Sequence, residues 1–267
     1  MTPCAHRTDP GRTRPDNEDS VLVDPEAGLF AVADGMGGHR GGATASRIAV
    51  EALGAFMSSS THDTTITWPW GFEPGVPFPA VQLKNAVHMA HRRILFEAAR
   101  TPDLTGMGTT LIAVVVRGGR AFFAGIGDSR LYVWRRGLLE QVSRDDSWAA
   151  SMLKAGASQE AVDNHEMRHV LIKALGTDGE LDVDVEELPL EDGDILLLCS
   201  DGLYGPIGDT GIRHALAAPA VNLDETASAL VEAANSAGGP DNITVVLMRY
   251  ETGTGPGSDA PRSAPIP

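Results

Sequence analysis

Cysteine is scarce: Cys4 and Cys199 are the only two in 267 residues. One lies near a chain end and the other inside an apolar run, so two reduced thiols are the favoured reading over a disulfide. No Cys/His pairs stand at zinc spacing, which argues against a structural zinc. Long hydrophobic runs are missing too. The longest candidate, Asp194 to Ser200, has strand length and falls far short of the roughly 18 apolar residues of a membrane span. Arg7, Asp9, Arg12 and Arg14 interrupt the N-terminus before any signal core, and a cytoplasmic location is expected. Basic residues are outnumbered, 21 Lys and Arg against 36 Asp and Glu, for a net charge of −15. Such a surface repels nucleic-acid backbone and anionic lipid, so neither is expected as a partner.

What is present suits a globular chain with a substantial core: 42% of residues are hydrophobic. The stretch 252–267 (TGTGPGSDAPRSAPIP) has almost nothing to bury and reads as a disordered tail. The first dozen residues look similar, although His6 and Arg7 could begin a strand. No linker-like break divides the rest, so 1–251 is expected to form one domain. Short β-branched runs predict strands at Ser20–Val23, Leu29–Ala33, Thr109–Val116, Arg120–Ala124, Leu131–Trp134, Leu138–Val142, Val183–Leu188, Ile195–Ser200 and Ile243–Tyr250. Turns at Arg117-Gly118-Gly119 and Arg135-Arg136-Gly137 mark hairpins. Helical spacing of apolar residues predicts helices over Gly42–Met57, Ala80–Arg100 and Leu223–Ala237, with a short one at Ser147–Ala155. Thr61 to Pro79, holding Trp68-Pro69-Trp70, reads as an irregular loop, either a specificity element or simply packed down. Hairpins dominate, which predicts an α+β fold of antiparallel sheets packed face to face with helices outside.

Acidic residues gather at the strand ends. Asp34-Gly35 follows Leu29–Ala33, Asp201-Gly202 follows Ile195–Ser200, Asp241-Asn242 precedes Ile243, and Glu18-Asp19 precedes Ser20. An Asp-Gly pair alone usually marks a turn, as Asp178-Gly179 and Asp192-Gly193 are expected to do. The flanks are more telling. Gly35-Met36-Gly37-Gly38 and Gly238-Gly239-Pro240 leave backbone uncovered where a ligand can approach closely. Carboxylates and carbonyls are hard oxygen donors suited to Mg²⁺ or Mn²⁺.

Arg14-Pro15-Asp16-Asn17-Glu18-Asp19 and Asp34-Gly35-Met36-Gly37-Gly38-His39 resemble the opening motifs of the bacterial branch of the type 2C, metal-dependent (PPM) serine/threonine protein phosphatases. Gly106-Met107-Gly108-Thr109-Thr110-Leu111, Gly127-Asp128-Ser129-Arg130, Ser200-Asp201-Gly202-Leu203 and Gly239-Pro240-Asp241-Asn242 follow in that family's order. The resemblance spans roughly Arg7 to Tyr250, and six motifs in fixed order are jointly specific. It implies a four-layer α/β/β/α sandwich and hydrolysis of phosphoserine and phosphothreonine by water activated between two Mn²⁺ or Mg²⁺ ions. By the same resemblance Asp34 bridges both ions, the Gly35 carbonyl joins one, and Asp201 and Asp241 hold the other. Glu18 and Asp19 act near the ions, partly through water, and Arg14 holds the substrate phosphate. The implied partners are phosphoproteins targeted by a cognate Ser/Thr kinase, and a monomer is expected.

Asp128 is either a ligand of a third, weaker ion shared with Asp201 or a plain hairpin-turn aspartate. Asp145 to Asn164 resembles the family's flap, yet begins Asp145-Asp146-Ser147 where the pattern shows Asp-His-Ser. Met36 replaces a histidine of animal members. His39 is either its substitute or a surface histidine, and His88, His91, His165 and His169 read as surface or helix-face residues. Gly205 stands where many relatives carry an acid, which weakens the third-ion reading. Two other functions stay open: a silent phosphoprotein-binding relative, which usually lacks one of the three core aspartates present here, and a hydrolase of small phosphate esters. A haloacid-dehalogenase type is disfavoured, since the required pair of acids two residues apart is absent around Asp34.

Overall fold

The computed structural model describes residues 2–37, 41–62, 68–71, 75–217 and 222–252. His39 and nearly all of the proposed tail lie outside these described residues. In chain order the elements are β1 (Cys4–Asp9), β2 (Asp19–Asp24), β3 (Leu29–Met36), α1 (Gly41–His62), α2 (Phe78–Arg100), β4 (Gly108–Thr109), β5 (Leu111–Arg117) and β6 (Arg120–Ile126). They continue with β7 (Arg130–Arg135), β8 (Leu138–Gln141), α3 (Trp148–Lys154), α4 (Gln159–Asp163), β9 (Glu186–Pro189), β10 (Ile195–Cys199), α5 (Asp201–Leu216), α6 (Leu223–Ser236) and β11 (Ile243–Arg249).

One sheet runs β1-β11-β10-β7-β8 and the other β2-β3-β5-β6-β9, with β4 paired to β3. Every pairing among the described strands is antiparallel. The central strands are apolar without interruption because both of their faces are covered. In β3, Phe30 and Val32 face the opposite sheet while Leu29, Ala31 and Ala33 face α1 and α2. In β11, Val246 and Met248 point between the sheets while Ile243, Val245 and Leu247 point to α5 and α6. Three apolar layers between four structural layers define the expected α/β/β/α sandwich.

Two elements depart from the sequence reading. The first residues are not a loose end: Cys4 to Asp9 pair with β11 from Cys4↔Met248 to Asp9↔Ile243. Only Ala5 of this edge strand is fully buried, so it shows no hydrophobic pattern and is held by ladder hydrogen bonds. The helix α5 was also unexpected. Its Gly202, Gly205, Pro206, Gly208 and Gly211 spoil helical propensity, and Gly208 kinks it at φ 59°. Burial of Leu203, Ile212 and Leu216 against the β1–β11 sheet holds it nonetheless.

Smaller corrections follow the same logic. The predicted strand Val183–Leu188 is shorter and later, as β9. The helices trim the predicted loop after Thr61 only at its ends, since α1 reaches His62 and α2 starts at Phe78; the described residues between them, 68–71 and 75–77, form neither helix nor strand. Trp68 packs edge-on against Phe56 and Phe78, and Trp70 stacks on His88 with ring centres 5.1 Å apart. His88 and His91 lie on a helix face, but a buried one; the His91 Nδ1 accepts the Gly176 N–H.

Candidate active site

The acidic residues converge at one end of the two sheets. Asp19 opens β2 directly opposite Asp34 near the end of β3. Asp201 opens α5 immediately after β10, where the helix N-terminus favours negative charge. Asp241 lies one residue short of β11, separated from it by Asn242, and Asp128 sits in the β6–β7 turn. The placement follows from topology: β10 and β11 are neighbours in one sheet, and β2 and β3 in the other.

Close backbone approach brings the pieces together. A side chain at Gly35 would collide with the Gly42 carbonyl, and a Cβ on Gly42 would lie 2.7 Å from Glu18 Oε2. The start of α1 therefore packs on both Gly35 and Glu18. A side chain at Gly202 would collide with the Asn242 carbonyl, which seats α5 on the start of β11. Thr109 Oγ1 and the Thr110 N–H both donate to the Asp34 carbonyl, at 2.8 and 2.9 Å. Asp34 N–H in turn donates to Thr110 Oγ1 at 3.0 Å.

Electrostatically the cluster is frustrated. Burial, then the charges of Asp19, Asp201, Asp128 and Asp241, push the Asp34 carboxyl far above the usual range. Burial raises Asp19 to about 7, against hydroxyl donation from Thr244 and Ser200. Asp201 is raised by burial and by Asp241, and Asp128 reaches about 7 through burial and Asp201. Carboxylates crowded out of water must take up protons or a cation.

Among the described residues no three Asp, Glu, His or Cys side chains are drawn into a ready-made cage. The hydrogen bonds explain why: Asp241 Oδ2 accepts from Arg14 Nη2 at 2.7 Å, and Asp19 Oδ2 from Ser200 Oγ at 2.7 Å. The donor set still fits a hard divalent cation. Asp19 Oδ1 and Asp201 Oδ1 are buried with no hydrogen-bond partner, an expensive arrangement that a cation would relieve.

The structure thus brings together Arg14, Glu18, Asp19, Asp34, Gly35, Asp201 and Asp241, with Asp128 at the margin. Asp128 belongs to a separate brace. Its carbonyl accepts from Tyr204 Oη at 3.0 Å, Arg130 lies 3.6 Å over the Tyr204 ring, and Arg130 forks onto Asp145. Asp145 is therefore an ion-pair partner inside this brace. Asp146 anchors the start of the flap-like segment through its backbone, donating to the Gly127 carbonyl at 2.7 Å and accepting from Ile172 N–H at 2.9 Å.

Sequence reasoning passed over Ser200, whose hydroxyl donates to Asp19 and accepts the Thr244 N–H at 3.0 Å. It also gave no role to Asn242. Both stand beside motif aspartates, Asp201 and Asp241, which marks the residues but not their distant partners.

A four-layer sandwich with an all-oxygen acidic cluster beside an arginine offers the kind of donors that hard cations take. Comparison with known proteins names the class: Protein phosphatase 2C matches residues 12–238, and the chain belongs to that family. The Serine/threonine phosphatase stp of Listeria monocytogenes is 36% identical over 262 residues, covering 95% of this chain and 98% of its own. The Serine/threonine protein phosphatase PstP of Mycobacterium tuberculosis is 39% identical over 244 residues, which cover 91% of this chain and 44% of that longer relative. A crystal structure of PstP superposes with a TM-score of 0.80 at 37% identity, covering 93% of this chain and 98% of that one. A structure of the PstP catalytic domain in complex with two manganese ions gives a TM-score of 0.78 at 36% identity, covering 92% and 97%.

Proposed function

We propose that this protein is a metal-dependent serine/threonine phosphoprotein phosphatase whose catalytic domain spans 1–251, with 252–267 as a tail outside it. The observation that carries the reading is the convergence of Asp19, Asp34, Asp201 and Asp241, with two buried carboxylate oxygens lacking partners and Arg14 beside them. Asp34 would bridge two divalent cations, manganese or magnesium. The Gly35 carbonyl would join one ion, and Asp201 and Asp241 would hold the other. Such ions supply Lewis acidity and a water made acidic enough to attack at neutral pH.

The chain's own residues do the rest. Arg14 lies on an exposed loop at the rim, its guanidinium shaped to fork onto two phosphoryl oxygens and neutralise charge that grows there during in-line displacement. Asp19 and Glu18 orient water at the site, with Ser200 fixing the Asp19 carboxyl by its hydroxyl. The oxygen of water bonds to phosphorus as the bond to the serine or threonine oxygen breaks, one proton of the water ends on that oxygen, the free hydroxyl leaves, and no phosphoenzyme forms. Asp128 would contribute to a third, weaker ion shared with Asp201. Gly205 supplies no acid to that ion, and a Cβ built there would have open space around it.

Among the described residues no helix is long and apolar enough to cross a membrane. A cytoplasmic monomer opposing a cognate Ser/Thr kinase is the setting we propose. The test is phosphate release from phosphoserine, phosphothreonine and phosphotyrosine peptides across a series of divalent cations. Manganese-dependent turnover of the first two, abolished by chelator, supports the reading. Inert protein that still binds a phosphopeptide points instead to a regulatory relative.

A further inference from the structure

We infer that Asn242 is a positioning residue for substrate phosphate: its side chain clamps both sides of the loop that carries Arg14. The inference rests on the phosphatase reading. Asn242 is buried, and its amide is fully used. Nδ2 donates to the Pro10 carbonyl at 3.0 Å and to the Asp16 carbonyl at 2.9 Å, while Oδ1 accepts the Glu18 N–H at 2.8 Å. Two of the contacts bracket Arg14 in the chain, and the third fixes the residue before Asp19.

Between those clamps the loop has little else to shape it. Residues 12–16 are exposed and contribute no strand or helix. Among the described residues, the backbone–backbone tie in that stretch is Arg12 N–H to the Gly239 carbonyl at 2.8 Å. Arg14 itself leans on Asp241, the residue beside Asn242. A guanidinium at the end of three methylenes binds phosphate well only when its backbone is held, because each freed rotor lowers the fraction of time spent in register.

The chemistry of the amide is specific to the task. It offers two donors and an acceptor in one plane, and a carboxylate of the same shape offers acceptors alone. Asn242→Asp therefore keeps the Glu18 contact, loses both carbonyl contacts and sets negative charge against two carbonyl oxygens. The Asn242 side chain does not fix Asp34 or Asp201: the Asp34 backbone is held by Thr109 and Thr110, and α5, which carries Asp201, is seated against the backbone carbonyl of Asn242, which the substitutions keep.

The experiment compares wild type, Asn242→Asp, Asn242→Ser, Arg14→Ala and the Arg14→Ala/Asn242→Asp double variant. It measures kcat and KM with an aryl phosphate, manganese affinity by calorimetry, and tryptic cleavage after Arg12. Asn242→Ser removes the amide without adding charge and serves if the aspartate variant does not fold. The expected result is a KM raised about tenfold with kcat changed less than about threefold, faster cleavage after Arg12, and manganese affinity within about threefold of wild type. In the Arg14→Ala background Asn242→Asp should raise KM no further. Full additivity of the two changes, or a manganese affinity that falls in step with KM, overturns the inference. An active wild type whose Asn242 variants keep its KM overturns the inference alone. A wild type without turnover overturns the phosphatase reading and this inference with it.

Discussion

Asp19 and Asp34 face each other directly across the β2–β3 ladder, two half-buried carboxylates on neighbouring strands. Like charges placed opposite in an antiparallel pair destabilise a sheet. The fold accepts that cost at the mouth of its sandwich, and the first prediction measures it.

In chelator-treated protein, Asp19→Asn should raise stability at pH 8 and leave it nearly unchanged at pH 4. The sign follows from the raised value of about 7 for Asp19 in the fold. The unfolded chain releases this proton near the ordinary carboxylate pKa of about 4, so the contribution to folding is intact below that and lost as pH rises toward 7. The gain at pH 8 should be on the order of a few kcal/mol. Melting curves from pH 4 to 8 check it, and a difference that stays constant with pH contradicts it.

The brace around Arg130 gives a second prediction. Its guanidinium forks onto Asp145, donates to Tyr132 Oη and stacks on Tyr204. A lysine keeps the charge but neither forks nor stacks, so Arg130→Lys should cost roughly 1–3 kcal/mol in urea denaturation. A loss below about 0.5 kcal/mol would show that the brace is ornamental.

Two glycines of one helix should respond in opposite directions. A methyl at Gly202 drives into the Asn242 carbonyl, and Gly202→Ala should cost about 2 kcal/mol or more. A methyl at Gly205 meets nothing, and Gly205→Ala should leave stability unchanged or raise it by up to about 1 kcal/mol. Parallel thermal melts decide the matter; equal effects would contradict the seating of α5 on β11.

What the sequence made legible was what depends on local pattern. Leu29 to Ala33 and Ile243 to Met248 announced buried strands because both of their faces meet cores. The helices α1, α2 and α6 announced themselves by apolar spacing. The edge strand β1 did not, since the ladder to β11 rather than side-chain burial holds it. Nor did α5, whose glycines argue against a helix that tertiary packing imposes. At the site, the aspartates were legible through their flanking glycines and the order of six motifs. The pairing of Asp19 with Ser200, and the clamp of Asn242 on Pro10 and Asp16, join residues about 180 and 230 apart, and adjacency to a motif carries no information about such contacts.

The most direct test of a cation-bridging Asp34 is manganese-dependent release of phosphate from a phosphothreonine peptide by wild type and Asp34→Asn, read beside manganese titration calorimetry. The wild type should turn over only with the cation. The variant should lose turnover by at least about a hundredfold and bind manganese more weakly at both sites. An Asp34→Asn protein with full manganese-dependent turnover would contradict the account.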